Sequence, residues 1–251
     1  MYNPFSLSGK SILVTGASSG IGKATAIECA KLGANVFILG RNTERLIEVF
    51  NALQNDGTQT HQYLVGDINE DIDSIISKLP ILDGVSDNAG TTNGNKPIKF
   101  LKETEILDVF KTNTLSHVVL AKMLMKKKKL NNNASYVFTA SIGGNFSTVT
   151  GQATYGISKA GINAFMKYCA IEFASKGIRC NSICPGMILT PLIQYDTMTD
   201  EEREQDAEKY LLKRYGQPEE VAKPICFLLS EAASYITGTT LIIDGGYSVN
   251  H

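Results

Sequence analysis

Residues 11–22 read SILVTGASSGIG, an apolar run followed at once by a glycine-rich turn. The run SILV is typical of a buried strand, and a helical pattern begins near Ile21. Gly16, Gly20 and Gly22 would allow a tight turn and close packing of the helix on the sheet, while the helix N-terminus favours negative charge. The stretch therefore predicts a strand, turn and helix that bind a nucleotide phosphate. A glycine turn without a ligand is the alternative, because the spacing differs from the commoner G-x-G-x-x-G.

Six further apolar segments along the chain also end in turn residues. They read ANVFILG, TQTHQYLVGD, LDGVSDNAG, ASYVFTAS, IRCNSICPG and TTLIIDGG, and helical patterns such as GKATAIECAKLG separate most of them. Seven strands that alternate with helices predict an α/β fold, in which a seven-stranded parallel sheet is covered by helices on both faces. No repeat, linker or shift in composition divides the chain. We therefore expect one doubly wound Rossmann domain over residues 1–251, with ligands beyond the carboxyl ends of the strands.

The composition excludes several classes of protein. The 251 residues are 43% hydrophobic and 20% charged, and the formal net charge is −1. This charge does not indicate an extended nucleic-acid surface. The apolar stretches are too short to span a membrane, and the N-terminus lacks a signal-peptide pattern. We expect a cytoplasmic protein with no nucleic-acid or membrane partner.

The five cysteines lie in apolar segments, and their number is odd. Both facts favour reduced, buried thiols over a disulfide framework. Cys180 and Cys184 could be imagined as a metal pair, but no histidine or second cysteine pair is near them in sequence. No metal site is predicted.

Several short motifs, taken in their order and spacing, resemble those of the classical short-chain dehydrogenase/reductase family. The family's glycine turn T-G-x-x-x-G-x-G is met by residues 15–22, and its N-N-A-G turn appears as D-N-A-G at residues 87–90. A P-G turn follows at residues 185–186, and ITGTTLIIDGG matches the C-terminal strand. The family's catalytic tetrad matches Asn113, Ser141, Tyr155 and Lys159. The resemblance extends from about residue 10 to residue 247.

Tyr155 and Lys159 lie four positions apart, which places them on one face of a helix. A free phenol has a pKa near 10, and an ammonium within a few Å would favour the phenolate. The resemblance implies that Tyr155 exchanges a proton with a carbonyl or alcohol substrate while Lys159 tunes that phenol and bonds the nicotinamide ribose. It also implies that Ser141 hydrogen-bonds the substrate oxygen and that Asn113 holds a proton-relay water. The expected activity is reduction of a carbonyl to an alcohol, or the reverse.

The end of the second strand bears on the choice of cofactor. NAD enzymes commonly carry an acidic residue there, but this chain reads Gly40, Arg41, Asn42. Arg41 could pair with a 2′-phosphate, which favours NADP over NAD, and a solvated arginine that opens the next helix is the alternative. The cofactor residues expected from the resemblance and from Arg41 are Gly16, Ser18, Ser19, Gly20, Ile21, Gly22, Arg41, Asp67, Ile68, Asn88, Ala89, Gly90, Tyr155, Lys159, Pro185, Gly186, Ile188 and Thr190.

Two features depart from the family pattern. The segment from Asp67 to Asp83 is short, which implies a truncated or slanted helix. Asp87 stands where the family usually has the first asparagine of N-N-A-G. Its carboxylate could perturb the hydrogen bonds at the strand end, or it could be a turn acid that bonds the local backbone. We favour the local turn acid.

The substrate is less well defined by the sequence. The chain looks most like 3-oxoacyl-acyl-carrier-protein reductases, but steroid, sugar and polyol dehydrogenases share the same motifs. A non-enzymatic nucleotide-sensing module is the alternative from another class, and the intact tetrad argues against it. The resemblance implies a substrate lid around residues 190–215. Residues 126–129, four lysines, could dock an acidic carrier protein or simply form a solvated helix end.

The resemblance also implies a homo-oligomer, most simply a homotetramer. The stretches 106–125 and 154–174 carry more apolar residues than one core-facing stripe requires.

Overall fold

The computed structural model describes residues 2–92, 94–194 and 199–250. All seven strands found in these residues form one parallel sheet in the order β3-β2-β1-β4-β5-β6-β7. The strands are β1 Ser11–Thr15, β2 Asn35–Gly40, β3 Gln62–Val65, β4 Leu82–Asp87, β5 Leu130–Thr139, β6 Arg179–Pro185 and β7 Thr240–Ile243. Each lies in one of the seven apolar segments, although β5 begins four residues before the segment expected for it. The predicted parallel sheet is confirmed.

Helices cover both faces of this sheet. They are α1 Gly20–Lys31, α2 Thr43–Asn51, α3 Ile68–Lys78, α4 Glu103–Phe110, α5 Ser116–Lys126, α6 Ala153–Phe173, α7 Pro191–Gln194, α8 Asp200–Ala207 and α9 Pro218–Leu229. One hydrophobic core lies between the sheet and α3, α5 and α6, and a second lies between the sheet and α1, α2 and α9. The doubly wound fold is therefore confirmed.

The apolar stretch 106–125 does not form one regular α-helix. Residues Lys111–Leu115 form a π-helical turn between α4 and α5. Such a turn inserts extra backbone into a helix and occurs often at functional sites. Here it contains Asn113, whose side chain is fully buried.

The short segment after Asp67 forms a capped helix. Asp67 accepts a hydrogen bond of 2.8 Å from the backbone N–H of Asn69, and the eleven-residue α3 follows. Ile75 and Ile76 of α3 are buried in the core. The sequence analysis expected a truncated or slanted helix here, and the segment nonetheless supplies three turns that pack on the sheet.

The region expected to form a lid contains α7 and α8. Residues 195–198 lie outside the described residues, so the lid stays a prediction. No helix in the described part of the chain is long and apolar enough to cross a membrane. Within the same part, no three His, Cys, Asp or Glu side chains are grouped so that they could hold a metal ion. All five cysteines are buried and free.

Candidate active site

The glycine turn after β1 has the geometry that its sequence requires. Gly16 and Gly20 have φ angles of +59° and +53°, a region that favours glycine. A Cβ on Gly16 would lie 3.1 Å from the backbone of Asn88 and Ala89, and a Cβ on Gly22 would lie 2.3 Å from the Gly16 carbonyl oxygen. The turn therefore packs directly against the turn that follows β4, and side chains are excluded from both contacts.

An open cleft of about 630 Å³ runs along the carboxyl ends of β1 to β5. Most of the expected cofactor residues line it, namely Gly16, Ser18, Ser19, Gly20, Ile21, Gly22, Arg41, Asp67, Ile68, Asn88, Ala89, Gly90 and Thr190. This volume and these exposed backbone groups fit a dinucleotide. The glycines support the fit, because they allow the tight turn that brings the N-terminus of α1 to the cleft.

Five of the expected cofactor residues are not among the residues that line the cleft, namely Tyr155 and Lys159, which are described below, and Pro185, Gly186 and Ile188. Pro185 ends β6, and the N–H of Gly186 donates to the Ile243 carbonyl at 2.9 Å. Ile188 is buried, and its neighbour Leu189 donates its N–H to the Gly216 carbonyl at 2.9 Å. These residues form the wall from which Thr190 extends over the glycine turn.

Two arginines stand at the end of the cleft beyond β2. Arg41 has 71% of its side chain exposed, and its guanidinium lies 3.7 Å from a carboxylate oxygen of Asp67. Arg45, which the sequence analysis did not single out, also lines the cleft, from the first turn of α2. Asn42 caps that helix by accepting a hydrogen bond from the Arg45 N–H at 2.9 Å. This end of the cleft therefore carries two cations and one carboxylate.

Asn113 is the first of the four expected catalytic residues, and its side-chain amide is held on two sides. Its Oδ1 accepts a hydrogen bond of 2.7 Å from the N–H of Thr91, and its Nδ2 donates to the Thr91 carbonyl at 2.9 Å. Nδ2 also donates to the Ser158 hydroxyl at 3.0 Å. The amide thus joins the turn after β4 to helix α6, the helix that carries Tyr155 and Lys159.

Tyr155 lies next to Ser141 at the carboxyl end of β5. Burial raises the pKa of the Tyr155 phenol, and a hydrogen bond with Ser141 lowers it in part. The sequence predicts that Lys159 lowers this pKa. In the structure the Lys159 ammonium donates to the Thr139 carbonyl at 2.9 Å, and burial is the largest influence on the pKa of the phenol.

Lys159 is almost completely buried, with 3% of its surface exposed. Burial lowers its pKa from 10.5 to about 8, although the negative charge of Asp87 opposes that shift. A Cβ on Gly90 would lie 3.1 Å from the Lys159 Nζ, so the ammonium sits against the turn that lines the cleft. A buried cation, a phenol and a hydroxyl thus meet beside a cleft that fits a dinucleotide.

Comparison with known proteins agrees with this arrangement. A family model described as enoyl-(acyl carrier protein) reductase matches residues 16–248. A 3-oxoacyl-[acyl-carrier-protein] reductase, FabG, from Rickettsia felis is 37% identical over 240 residues, which are 96% of this chain and 97% of that protein. The chain belongs to the short-chain dehydrogenase/reductase family. It is accordingly an oxidoreductase.

Solved structures of other family members are also similar. A levodione reductase has a TM-score of 0.89 and 27% identity, covering 98% of this chain and 100% of its own. A protein from Beutenbergia cavernae that is described as an NAD(P)-dependent gluconate 5-dehydrogenase, with NADP bound at low occupancy, has a TM-score of 0.87 and 28% identity over 98% of this chain and 100% of its own. The substrates named for these proteins differ, so the shared fold leaves the substrate open.

Asp87 does not have the local role that the sequence analysis favoured. It is fully buried at the end of β4, and three side chains from other elements approach its carboxylate. Thr15 donates to Oδ1 at 2.6 Å, Tyr136 donates to Oδ2 at 3.0 Å, and Nδ1 of His117 lies 2.8 Å from Oδ2. The turn-acid interpretation is wrong, because the carboxylate points into the sheet rather than back along its own turn.

These partners also determine the ionisation of Asp87. Burial favours its neutral acid, but the charge of His117 and the hydrogen bonds from Thr15 and Tyr136 outweigh burial and lower the pKa of Asp87. The imidazole of His117 is itself fully buried. The 2.8 Å contact between Nδ1 and the carboxylate lies outside the angles of an aligned hydrogen bond. None of the three histidines has a triad-like signature in its local sequence, so His117 was missed as a candidate.

Proposed function

We propose that this protein reduces 3-oxoacyl thioesters to 3-hydroxyacyl thioesters with NADPH. The observation that carries the proposal is the meeting of Ser141, Tyr155 and Lys159 beside the dinucleotide cleft. The 37% identity to a 3-oxoacyl-[acyl-carrier-protein] reductase supports the substrate class. The cofactor residues and the tetrad are part of this proposal.

A nicotinamide dinucleotide, when bound, would supply the hydride that reaches the carbonyl carbon. Side chains of this protein would then supply the proton that the product oxygen needs. Ser141 would donate a hydrogen bond to the carbonyl oxygen, and Tyr155 would transfer its phenolic proton to the alkoxide as it forms. Lys159, with a pKa of about 8, is mostly protonated at neutral pH, and its positive charge would favour the phenolate that remains.

The preference for NADP rests on charge. A 2′-phosphate brings nearly two negative charges, and Arg41 and Arg45 supply two cations at the end of the cleft where it would lie. Asp67 already pairs with Arg41 at 3.7 Å, so a phosphate would have to compete with that carboxylate. The competition should limit the preference to about ten- to a hundredfold.

Exposed leucines near the proposed lid support an apolar substrate. Leu192 lines the cleft, and Leu189, Leu211 and Leu212 are exposed within or next to residues 190–215. A carrier protein, if it delivers the acyl chain, would bring an acidic surface, and residues 126–129 are one basic candidate for docking. Their structure also fits the alternative, because Lys126 ends α5 and Lys129 donates to the Leu79 carbonyl. The buried thiols support a reducing, cytoplasmic location.

The test is a comparison of kcat/KM for three ketone classes with NADPH and NADH. The kcat/KM for acetoacetyl thioesters, on coenzyme A and on a carrier protein, should be at least about tenfold higher than the kcat/KM for a cyclic diketone or a keto-sugar acid. If the keto-sugar acid or the diketone has the highest kcat/KM, the proposal of a thioester substrate is refuted. The substrate would then belong to the class named for the solved relatives.

The catalytic assignment is tested in the same assay with Tyr155→Phe. Loss of the positioned acid should lower turnover about a hundredfold or more while dinucleotide affinity is kept. Tyr168→Phe is the matched control, because Tyr168 lies on the same helix with 65% of its surface exposed. Undiminished turnover in Tyr155→Phe would refute the mechanism.

A further inference from the structure

The turn at residues 88–90 forms one wall of the dinucleotide cleft and touches both sides of the site. Its first residues pack on the glycine turn, since a Cβ on Gly16 would meet Asn88 and Ala89 at 3.1 Å. Its last residue packs on the catalytic ammonium, since a Cβ on Gly90 would meet the Lys159 Nζ at 3.1 Å. A small displacement of this turn would therefore change the cleft and the position of Lys159 together.

The backbone of this turn is held by two side chains. The Thr15 hydroxyl oxygen accepts hydrogen bonds from the N–H groups of Asn88 and Ala89, at 3.0 and 3.2 Å. The His117 Nε2 lies 2.9 Å from the Ala89 carbonyl oxygen. A carbonyl can only accept, so Nε2 must carry the hydrogen in this contact. One hydroxyl and one imidazole thus bind three backbone groups of the cleft wall.

Asp87 contacts both of these side chains. Thr15 donates its only hydroxyl hydrogen to Asp87 at 2.6 Å, which leaves the hydroxyl oxygen free to accept from the two amides. Nδ1 of His117 lies 2.8 Å from the other carboxylate oxygen, which keeps the ring turned with Nε2 towards Ala89. Asp87, His117 and Thr15 are all fully buried, so water does not compete for these contacts.

We propose that Asp87 and His117 are positioning residues that fix the 88–90 turn for dinucleotide binding, through Thr15 on one side and the Ala89 carbonyl on the other. The inference rests on the proposed use of the cleft for a dinucleotide, and it is independent of the substrate and of the preference for the 2′-phosphate. Neither residue touches the space of the cleft itself, since neither is among the side chains that line it in the described part of the chain. Their effect on the ligand must therefore act through the turn.

Removing one partner alone would confuse positioning with the cost of an unpaired buried charge. Two double variants avoid this, because both replace the carboxylate and the imidazole with uncharged side chains, and the two variants differ only in whether residue 117 can donate a hydrogen bond. Asp87→Asn/His117→Gln places an amide where Nε2 stands and keeps a donor for the Ala89 carbonyl. Asp87→Asn/His117→Leu fills similar space without a donor. The two are matched in charge at both positions.

The measurement is the Kd of NADPH and of NADH for the parent and both double variants, together with thermal unfolding. We expect the Gln variant to stay within about threefold of the parent for both dinucleotides. The Leu variant should bind both about five- to tenfold more weakly, the size expected for one lost hydrogen bond. A purely structural role would lower the unfolding temperature of the Leu variant and leave both Kd values unchanged.

Equal Kd values for the two double variants would overturn the proposal. If the Leu variant does not fold, a second pair, Thr15→Val and Thr15→Ser, tests the other side of the turn. Equal dinucleotide affinity in that pair would also overturn the proposal. A parent that binds neither dinucleotide refutes the proposed function and this inference together. A parent that binds both while the double variants agree refutes this inference alone.

Discussion

Replacement of Lys159 by methionine should change how the stability of the protein depends on pH. Lys159 has an ordinary pKa of about 10.4 in an unfolded chain, and its pKa falls to about 8 when the protein folds. Between these two values the unfolded chain holds a proton that the folded protein has released. The stability of the parent therefore rises with pH in this window, and below about pH 8 the full cost of the buried charge is present.

The size of the effect follows from the shift. A change from 10.5 to about 8 corresponds to roughly 3 kcal/mol at about 1.36 kcal/mol for each pKa unit. From pH 7 to about pH 9.5 the parent should recover about 2 kcal/mol of this. Lys159→Met does not titrate, so its free energy of unfolding relative to the parent should fall by about 2 kcal/mol over that range. The change with pH is tested, because loss of the hydrogen bond to Thr139 offsets the gain at any single pH.

The assay is urea unfolding of the parent and the variant at pH 7 and at about pH 9.5. Lys167→Met is the matched control, because Lys167 is an exposed lysine on the same helix. The change with pH of the difference between Lys159→Met and the parent is compared with the change measured for Lys167→Met. The free energy of unfolding of Lys159→Met relative to the parent is compared at the two pH values. If it stays constant to within about 0.5 kcal/mol, the folded protein does not depress the pKa of Lys159.

Three further predictions concern the cleft and the assembly. Gly22→Ala should abolish dinucleotide binding by titration, because its Cβ would lie 2.3 Å from the Gly16 carbonyl oxygen; binding like that of the parent would contradict the packing of the turn. The double variant Gly40→Asp/Arg41→Ile should prefer NADH over NADPH in kcat/KM, the reverse of the parent. If the parent already prefers NADH, Arg41 points to solvent and does not bind the 2′-phosphate. Light scattering at micromolar concentration should give a homotetramer, because α4 and α6 expose large apolar side chains such as Leu107 and Ile171; a monomer mass would overturn this.

Most of the fold could be predicted from the sequence because its signals are local. Each strand is a short apolar run that ends at a turn residue, and the glycines at 16, 20 and 22 identify the first turn on their own. The π-helical turn at Lys111–Leu115 could not be predicted in this way. Apolar spacing continues across it, and nothing in the pattern shows where one helix register gives way to another.

The site was predictable where it depends on short spacing and less so where it depends on packing. Tyr155 and Lys159 come from one helix, and the structure places both beside the cleft. The effect of burial on the phenol could not be predicted, because burial is a property of the whole fold and no spacing reports it. The pair of Asp87 and His117 was missed for the same reason, since its members lie thirty positions apart on a strand and a helix.

The π-helical turn also determines how this part of the chain can change in length. In a continuous α-helix each residue advances by about 100° around the axis, and a π-helical turn holds about one residue more than an α-helical turn. Deletion of Thr114 from Lys111–Leu115 would therefore close the turn to ordinary helix and leave α5 with nearly its present rotation relative to α4. His117 would still face Asp87 and Ala89. A regular helix has no such turn to close, so the same deletion there would rotate every later residue by about 100° relative to the earlier ones.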